Sequence, residues 1–223
     1  MATGQTVDDL RSGILEDLPE IAWIGEPGLR EGTVAAWSLA LRRSSFARVR
    51  DIPGDANPGV MVLKRGGQNV HLSGVTRLAL ASVDHFAAVH PEAVIDRDIV
   101  VAGGLCHDVG KAWECDPSNL RRWATDPSRV GSPSLRHPIY GAHICLSVGL
   151  PEAVAHIAAC HSPEGDNVKR SLECMIVHDA DHTWWTICAA AGLVQESTLP
   201  DRMTRLFGPR QLRATECPDA VRR

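Results

Sequence analysis

The stretch Ile99–Lys111, IVVAGGLCHDVGK, decides how the chain is read. Its apolar run, Ile99 to Cys106, is far shorter than the roughly 20 residues that span a bilayer. Ile95, Ile99, Ala102 and Cys106 fall at helical spacing, so the run reads as a buried helix that stops on an adjacent His107-Asp108 pair. A His-Asp pair at that place is either a polar cap facing water or part of a chemical site, and the residues around it decide between the two.

Outward from this helix the period stays helical. Val75, Leu78, Ala79 and Ser82 begin a helix that runs to about His90. Residues 139–149 form another, stopped by Gly149 and Pro151. Val154, Ile157, Ala158 and His161 follow i, i+3, i+4, i+7, so His161 continues an apolar face. Residues 172–181 predict a further helix, which 184–193 continues or follows, and the Pro/Asp/Ser-rich span 115–136 predicts a loop. In the N-terminal third, 7–18 is a short amphipathic piece, Thr33 reads as the cap of a helix that ends in arginines toward residue 50, and 52–59 is dense with breakers. Residues 59–67, GVMVLKRGG, carry fair strand propensity. The expected class is all-α, with a 1–68 extension packing on a core of 69–208 and a basic, frayed tail at 209–223.

With 44% hydrophobic and 22% charged residues, the composition is that of a globule with a sizeable core. A net charge of −4 offers no overall basic field for nucleic acid or an anionic membrane. The first ten residues lack the basic and apolar regions of a secretory signal, which points to a cytoplasmic protein. The 7 cysteines are odd in number and form no CxxC pair, and Cys106, Cys145, Cys160, Cys174 and Cys188 sit in apolar stretches, as reduced buried thiols do. All 10 histidines lie between His71 and His182, so the chemistry is expected in the middle of the chain.

The order His71, His107-Asp108, His137, His161, Asp181, over about 69–185, resembles the HD-domain superfamily of metal-dependent phosphohydrolases. HDVGK at 107–111 is similar to the family signature, His137-Pro138-Ile139-Tyr140-Gly141-Ala142 to the segment that opens its next helix, and Asp179-Ala180-Asp181 to the segment with its last aspartate. The resemblance implies an HD helical bundle in which His71, His107, Asp108 and Asp181 hold a first metal. Asp108 then bridges to a second metal held by His137 and His161. Imidazoles and carboxylates without thiolate suit two divalent transition-metal ions (Fe, Mn, Co, Ni or Zn) rather than Ca. A bridging carboxylate suits the roughly 3.5–4 Å separation of two-metal sites.

Each residue has a rival reading. His143 competes with His137 but lies deeper in the helix and is assigned to the core. Position beside Ala180 favours Asp181 as the last ligand, whereas helical phase from Leu172, Met175 and Ile176 puts Asp179 on the apolar face. His85, His90, His156, His178 and His182 are assigned structural roles, the last two flanking the site. Lys111, one turn past the pair, is read as catalytic with Asp108, contacting a substrate anion; its rival is a solvated helix end. Trp113, Trp184 and Trp185 are read as pocket wall or core.

The segment after His161 is Ser-Pro-Glu-Gly-Asp-Asn, with no Gly-Tyr-Pro, which speaks against the cyclic-dinucleotide phosphodiesterase branch. The resemblance thus implies a phosphohydrolase acting on a small anionic molecule, with no nucleic-acid or membrane partner. The alternative is a mixed-valent di-iron oxygenase of the same superfamily, and a third reading is a degenerate binding module.

Overall fold

A computed structural model describes residues 6–203, and among them ten α-helices and no β-strand. They are α1 (Val7–Asp17), α2 (Pro27–Arg42), α3 (Gln68–Val89), α4 (Arg97–Cys106), α5 (Lys111–Glu114), α6 (Pro117–Thr125), α7 (Pro127–Val130), α8 (His137–Ser147), α9 (Glu152–Cys160) and α10 (Leu172–Ala190). The fold is the expected all-α bundle.

Helix α4 is the axis of the molecule. It packs against α2, α3, α9 and α10, which is why Val100 through Cys106 are apolar or small on every side and all buried. Two glycines make that crowding possible. A Cβ on Gly103 would lie 2.3 Å from the Ile157 side chain of α9, and one on Gly104 would lie 2.8 Å from Thr76 Oγ1 of α3. Asp96 starts the helix by accepting from the backbone N–H groups of Asp98 and Ile99.

The N-terminal residues join the same core, which is continuous from Leu10 to Ala180. Trp37 of α2 is fully buried and donates its indole N–H to Leu105 O at 2.9 Å. Buried Asp17 accepts from Arg48 and Arg50, and buried Glu20 accepts from Ser73 and Arg77 of α3. A smaller apolar cluster, with Met61, Leu63, Trp185 and Val194 in it, joins the 53–63 and 193–199 segments to the end of α10.

Several local expectations are corrected. Thr33 is not a cap: α2 starts six residues earlier, with Pro27 in its first turn and the Glu26 side chain accepting from Gly28 and Leu29 N–H. Thr33 instead lies buried within α2, its hydroxyl donating to Leu29 O at 2.9 Å. The helix ends at Arg42, and 43–50 continues as turns and a short 3-10 segment. The strand expected in 59–67 is reduced to isolated bridges, Asn57 with Val60 and Leu63 with Val194. The loop expected at 115–136 contains α6 and α7, each capped by an aspartate (Asp116, Asp126) ahead of a proline at the first helical position. Residues 172–193 are one helix to Ala190. The tail expected at 209–223 lies outside the described residues.

Candidate metal centre

The bundle brings the ends of three helices to the first turns of a fourth and the middle of a fifth. His107 closes α4, His161 closes α9 and His137 opens α8, while His71 sits in the first turns of α3 and Asp181 midway along α10. His71, His107, Asp108, His137 and His161 are each at most 2% exposed. The His-Asp pair is therefore not a cap facing water.

Asp108 stands at the centre and presents its two oxygens to different partners. Oδ2 lies 3.2 Å from His71 Nε2 and 3.5 Å from His107 Nε2. Oδ1 lies 3.1 Å from His137 Nε2 and 3.5 Å from His161 Nε2. Asp181 Oδ1 completes the first group, 3.3 Å from His71 Nε2, and the Nε2 atoms of His71 and His107 are 3.1 Å apart.

Hydrogen bonds on the far side of the rings fix which nitrogen faces inward. A carbonyl or carboxylate can only accept, so the neighbouring Nδ1 carries the proton. His107 Nδ1 donates to Gly104 O at 2.7 Å, His161 Nδ1 to Ala158 O at 3.1 Å, and His137 Nδ1 to Glu114 Oε2 at 2.5 Å. The neutral His107 and His137 rings then turn bare Nε2 lone pairs toward the Asp108 carboxylate. Burial pushes the His107 imidazole down to about 3 and the His137 imidazole below its ordinary value, which keeps both neutral. For His161 burial acts the same way, but Asp108 outweighs it and raises the ring. Burial alone would raise the Asp108 carboxyl, yet Lys111 and the surrounding imidazoles hold it well below the usual carboxylate range.

Lone pairs aimed at a carboxylate repel unless a cation lies among them. One further atom makes the same point: Asp181 Oδ1, facing His71 Nε2, is buried and makes no hydrogen bond. His71, His107 and Asp181 can together offer atoms within 4.8 Å of one another, as can His107, Asp108 and His161. A set of imidazoles and carboxylates without thiolate fits divalent transition-metal ions.

Lys111 is 1% exposed rather than solvated. Its ammonium donates to Asp55 O, to Ala56 O at 3.1 Å, and lies 3.3 Å from Asp108 Oδ2. Burial disfavours its charge, but Asp108 outweighs that and leaves it above its ordinary value, so it stays protonated.

A cavity of about 260 Å³ opens beside the cluster. His137, His161, Asp108 and Asp181 line its inner side, and Asn57, Met61, Trp185 and Arg202 are among the residues of its outer side. His71 and His107 are not on its surface. His71 lies against Trp184 and Trp185, whose rings are 4.7 and 4.9 Å from its own, and His107 packs between His71 and His161.

The rival residues separate by position. Asp179 is exposed, beside Leu78 and Phe86 on another face. The phase that favoured it leaned on Leu172 and Met175, which are 48% and 41% exposed. His143 is exposed rather than in the core, facing Arg43 Nη1 at 3.1 Å. His178 donates to His161 O, and His182 lines the cavity. Trp185 borders the cavity, whereas Trp113 stacks on Tyr140 at 4.6 Å. Three residues were not singled out from sequence: Gln68, donating to Asp108 Oδ2 at 2.5 Å; buried Glu114; and Arg136, donating to Glu114 Oε1 at 2.5 Å. The one available signal was spacing, since Glu114 follows His107 by seven residues and Arg136 adjoins His137.

An all-α bundle that converges histidines and aspartates at its centre has a donor set that could hold metal ions. The sequence profile of the HD domain matches residues 70–184, just over half of the chain, and the chain belongs to the HD domain family. No curated protein and no solved structure matches it. No helix among the described residues is long and apolar enough to cross a membrane. The six described cysteines are free and buried.

Proposed function

We propose that this chain is a dinuclear metal-dependent phosphohydrolase that cleaves a small phosphate ester. The observation that carries the reading is the division of Asp108, one oxygen to each histidine pair, with one pair opening on the cavity. His71, His107, Asp108 and Asp181 would hold the first ion; Asp108, His137 and His161 would hold the second. Bound there, two divalent ions supply a water made nucleophilic near neutral pH and neutralisation of charge on the phosphoryl group. The second group offers three protein donors and borders the cavity, so it leaves room for water and substrate.

Lys111 has three ammonium protons and three oxygen neighbours, Asp55 O, Ala56 O and Asp108 Oδ2. It serves as a fixed positive charge that holds Asp108 ionised and oriented, and its effect on an anionic substrate runs through space. The cavity volume of about 260 Å³ favours a small molecule over a nucleic acid, in keeping with the net charge of −4. The free thiols support a reducing, cytoplasmic setting.

Metal analysis of anaerobically purified protein, followed by a screen of phosphate esters and phosphonates, tests this. Two metals per chain and release of inorganic phosphate are the expected results. Oxygen consumption coupled to turnover, with or without phosphate release, would replace the hydrolase by the di-iron oxygenase.

A further inference from the structure

The second histidine pair is braced by a chain of charged groups. Glu114 is completely buried, with Oε2 on the Nδ1–H of His137 and Oε1 on Nη1 of Arg136, each at 2.5 Å. Arg136 Nε donates to Glu164 Oε1 at 2.9 Å, and Glu164 Oε2 accepts from the Ser162 hydroxyl at 2.5 Å. Ser162 follows His161, so the chain runs from the ring of one ligand to the backbone of the other. Comparable polar support is absent at the first pair, where His107 leans on a carbonyl of its own helix and His71 Nδ1 has no partner.

We propose that Glu114 is the positioning residue of the second metal: it holds His137 as the Nδ1–H tautomer with Nε2 free, and through Arg136 and Glu164 it ties the start of α8 to the loop after His161. The proposal rests on the two-metal reading above. Both Glu114 oxygens face donors, and only a carboxylate satisfies two donors with two acceptors. In Glu114→Gln one of the two positions becomes an NH2 group. Turned toward His137, it favours the Nε2–H tautomer and places a proton where the metal would bind.

The test is calorimetric titration of metal-free protein with Mn²⁺, with the Co²⁺ absorption spectrum as a second readout. In Glu114→Gln the first binding event is expected at wild-type affinity and the second weakened about 10–100-fold, the range seen when a carboxylate behind a ligating histidine is lost. Glu114→Asp keeps the charge and is expected to recover part of that loss. The intact first event and a thermal melt report on folding. If Glu114→Gln does not fold, Glu114→Asp, one methylene short of His137, is expected to weaken only the second event. Wild-type affinity for both ions in Glu114→Gln, or in Glu114→Asp where that variant stands in for it, overturns the proposal alone. Wild-type protein that takes up a single Mn²⁺ overturns the two-metal reading and the proposal with it.

Discussion

The two halves of the centre share Asp108 and differ in almost everything else. The half formed by His71, His107 and Asp181 keeps both histidines off the cavity, with His71 against Trp184 and Trp185, and leaves two buried polar atoms without partners. The half formed by His137 and His161 stands at helix ends, opens on the cavity, and has a carboxylate and a guanidinium behind it. A shielded site with four donors favours retention of an ion. An open site with three favours exchange of ligands on one. On the proposed two-metal reading, the difference suits the first half to holding an ion and the second to chemistry.

The largest perturbation erases the comparison. Asp108→Ala removes an oxygen from each half, so metal analysis should find neither ion and phosphate release should fall to background. Removing one half at a time sharpens it. His137→Ala should lower the metal count from two to one and abolish turnover, and an unchanged count would take His137 out of the centre. Next comes Lys111→Met, which strips the cation from the Oδ2 side of Asp108. Breaking a buried pair of this kind costs about 3–5 kcal/mol, so metal-free protein should melt well below wild type and metal should restore part of the difference. A melt within a degree of wild type would show that the lysine does not hold that carboxylate. Gln68→Leu removes one hydrogen bond to the same charged oxygen, worth about 1.5–3 kcal/mol, and should weaken the first binding event more than the second. The smallest effect is expected for His143→Ala. It changes an exposed residue, should keep both ions, and should shift stability by no more than about 0.5 kcal/mol. Loss of the second ion there would exchange the roles of His137 and His143.

The apolar period of α3, α4, α8, α9 and α10 made the bundle readable, because those helices bury wide faces against one another. Where helices form on short-range signals, reading was less secure. Thr33 looked like a cap because its hydroxyl can serve as one, but Pro27 and the Glu26 side chain had already started that helix. The aspartate–proline pairs ahead of α6 and α7 were read as loop chemistry, although the same pairs open helices. At the centre, the residues with metal-ligand chemistry could be picked out by type and order. Gln68, Glu114 and Arg136 could not, because each acts through a neighbour that only the fold brings beside it. Asp179 and Asp181 show the limit of periodicity: α10 exposes some of its large apolar side chains, so phase measured from them points to the wrong side.

One close approach sets how near the main chain after Asp108 comes to the start of α8. A Cβ on Gly110 would lie 2.0 Å from His137 O and 2.7 Å from Gly141 N, so the turn after Asp108 and the first turn of α8 meet main chain to main chain. The approach of the main chains that carry Asp108 and His137 is thus cut into the backbone, whatever rotamers the two side chains take. A methyl group at residue 110 would wedge α8 outward and carry His137 with it. Of the glycines in the two sequence signatures, Gly110 has no room for a Cβ, whereas one on Gly141 would meet its neighbours, Gly110 N among them, only at 3.4 Å and beyond, so the fit is set from the Gly110 side.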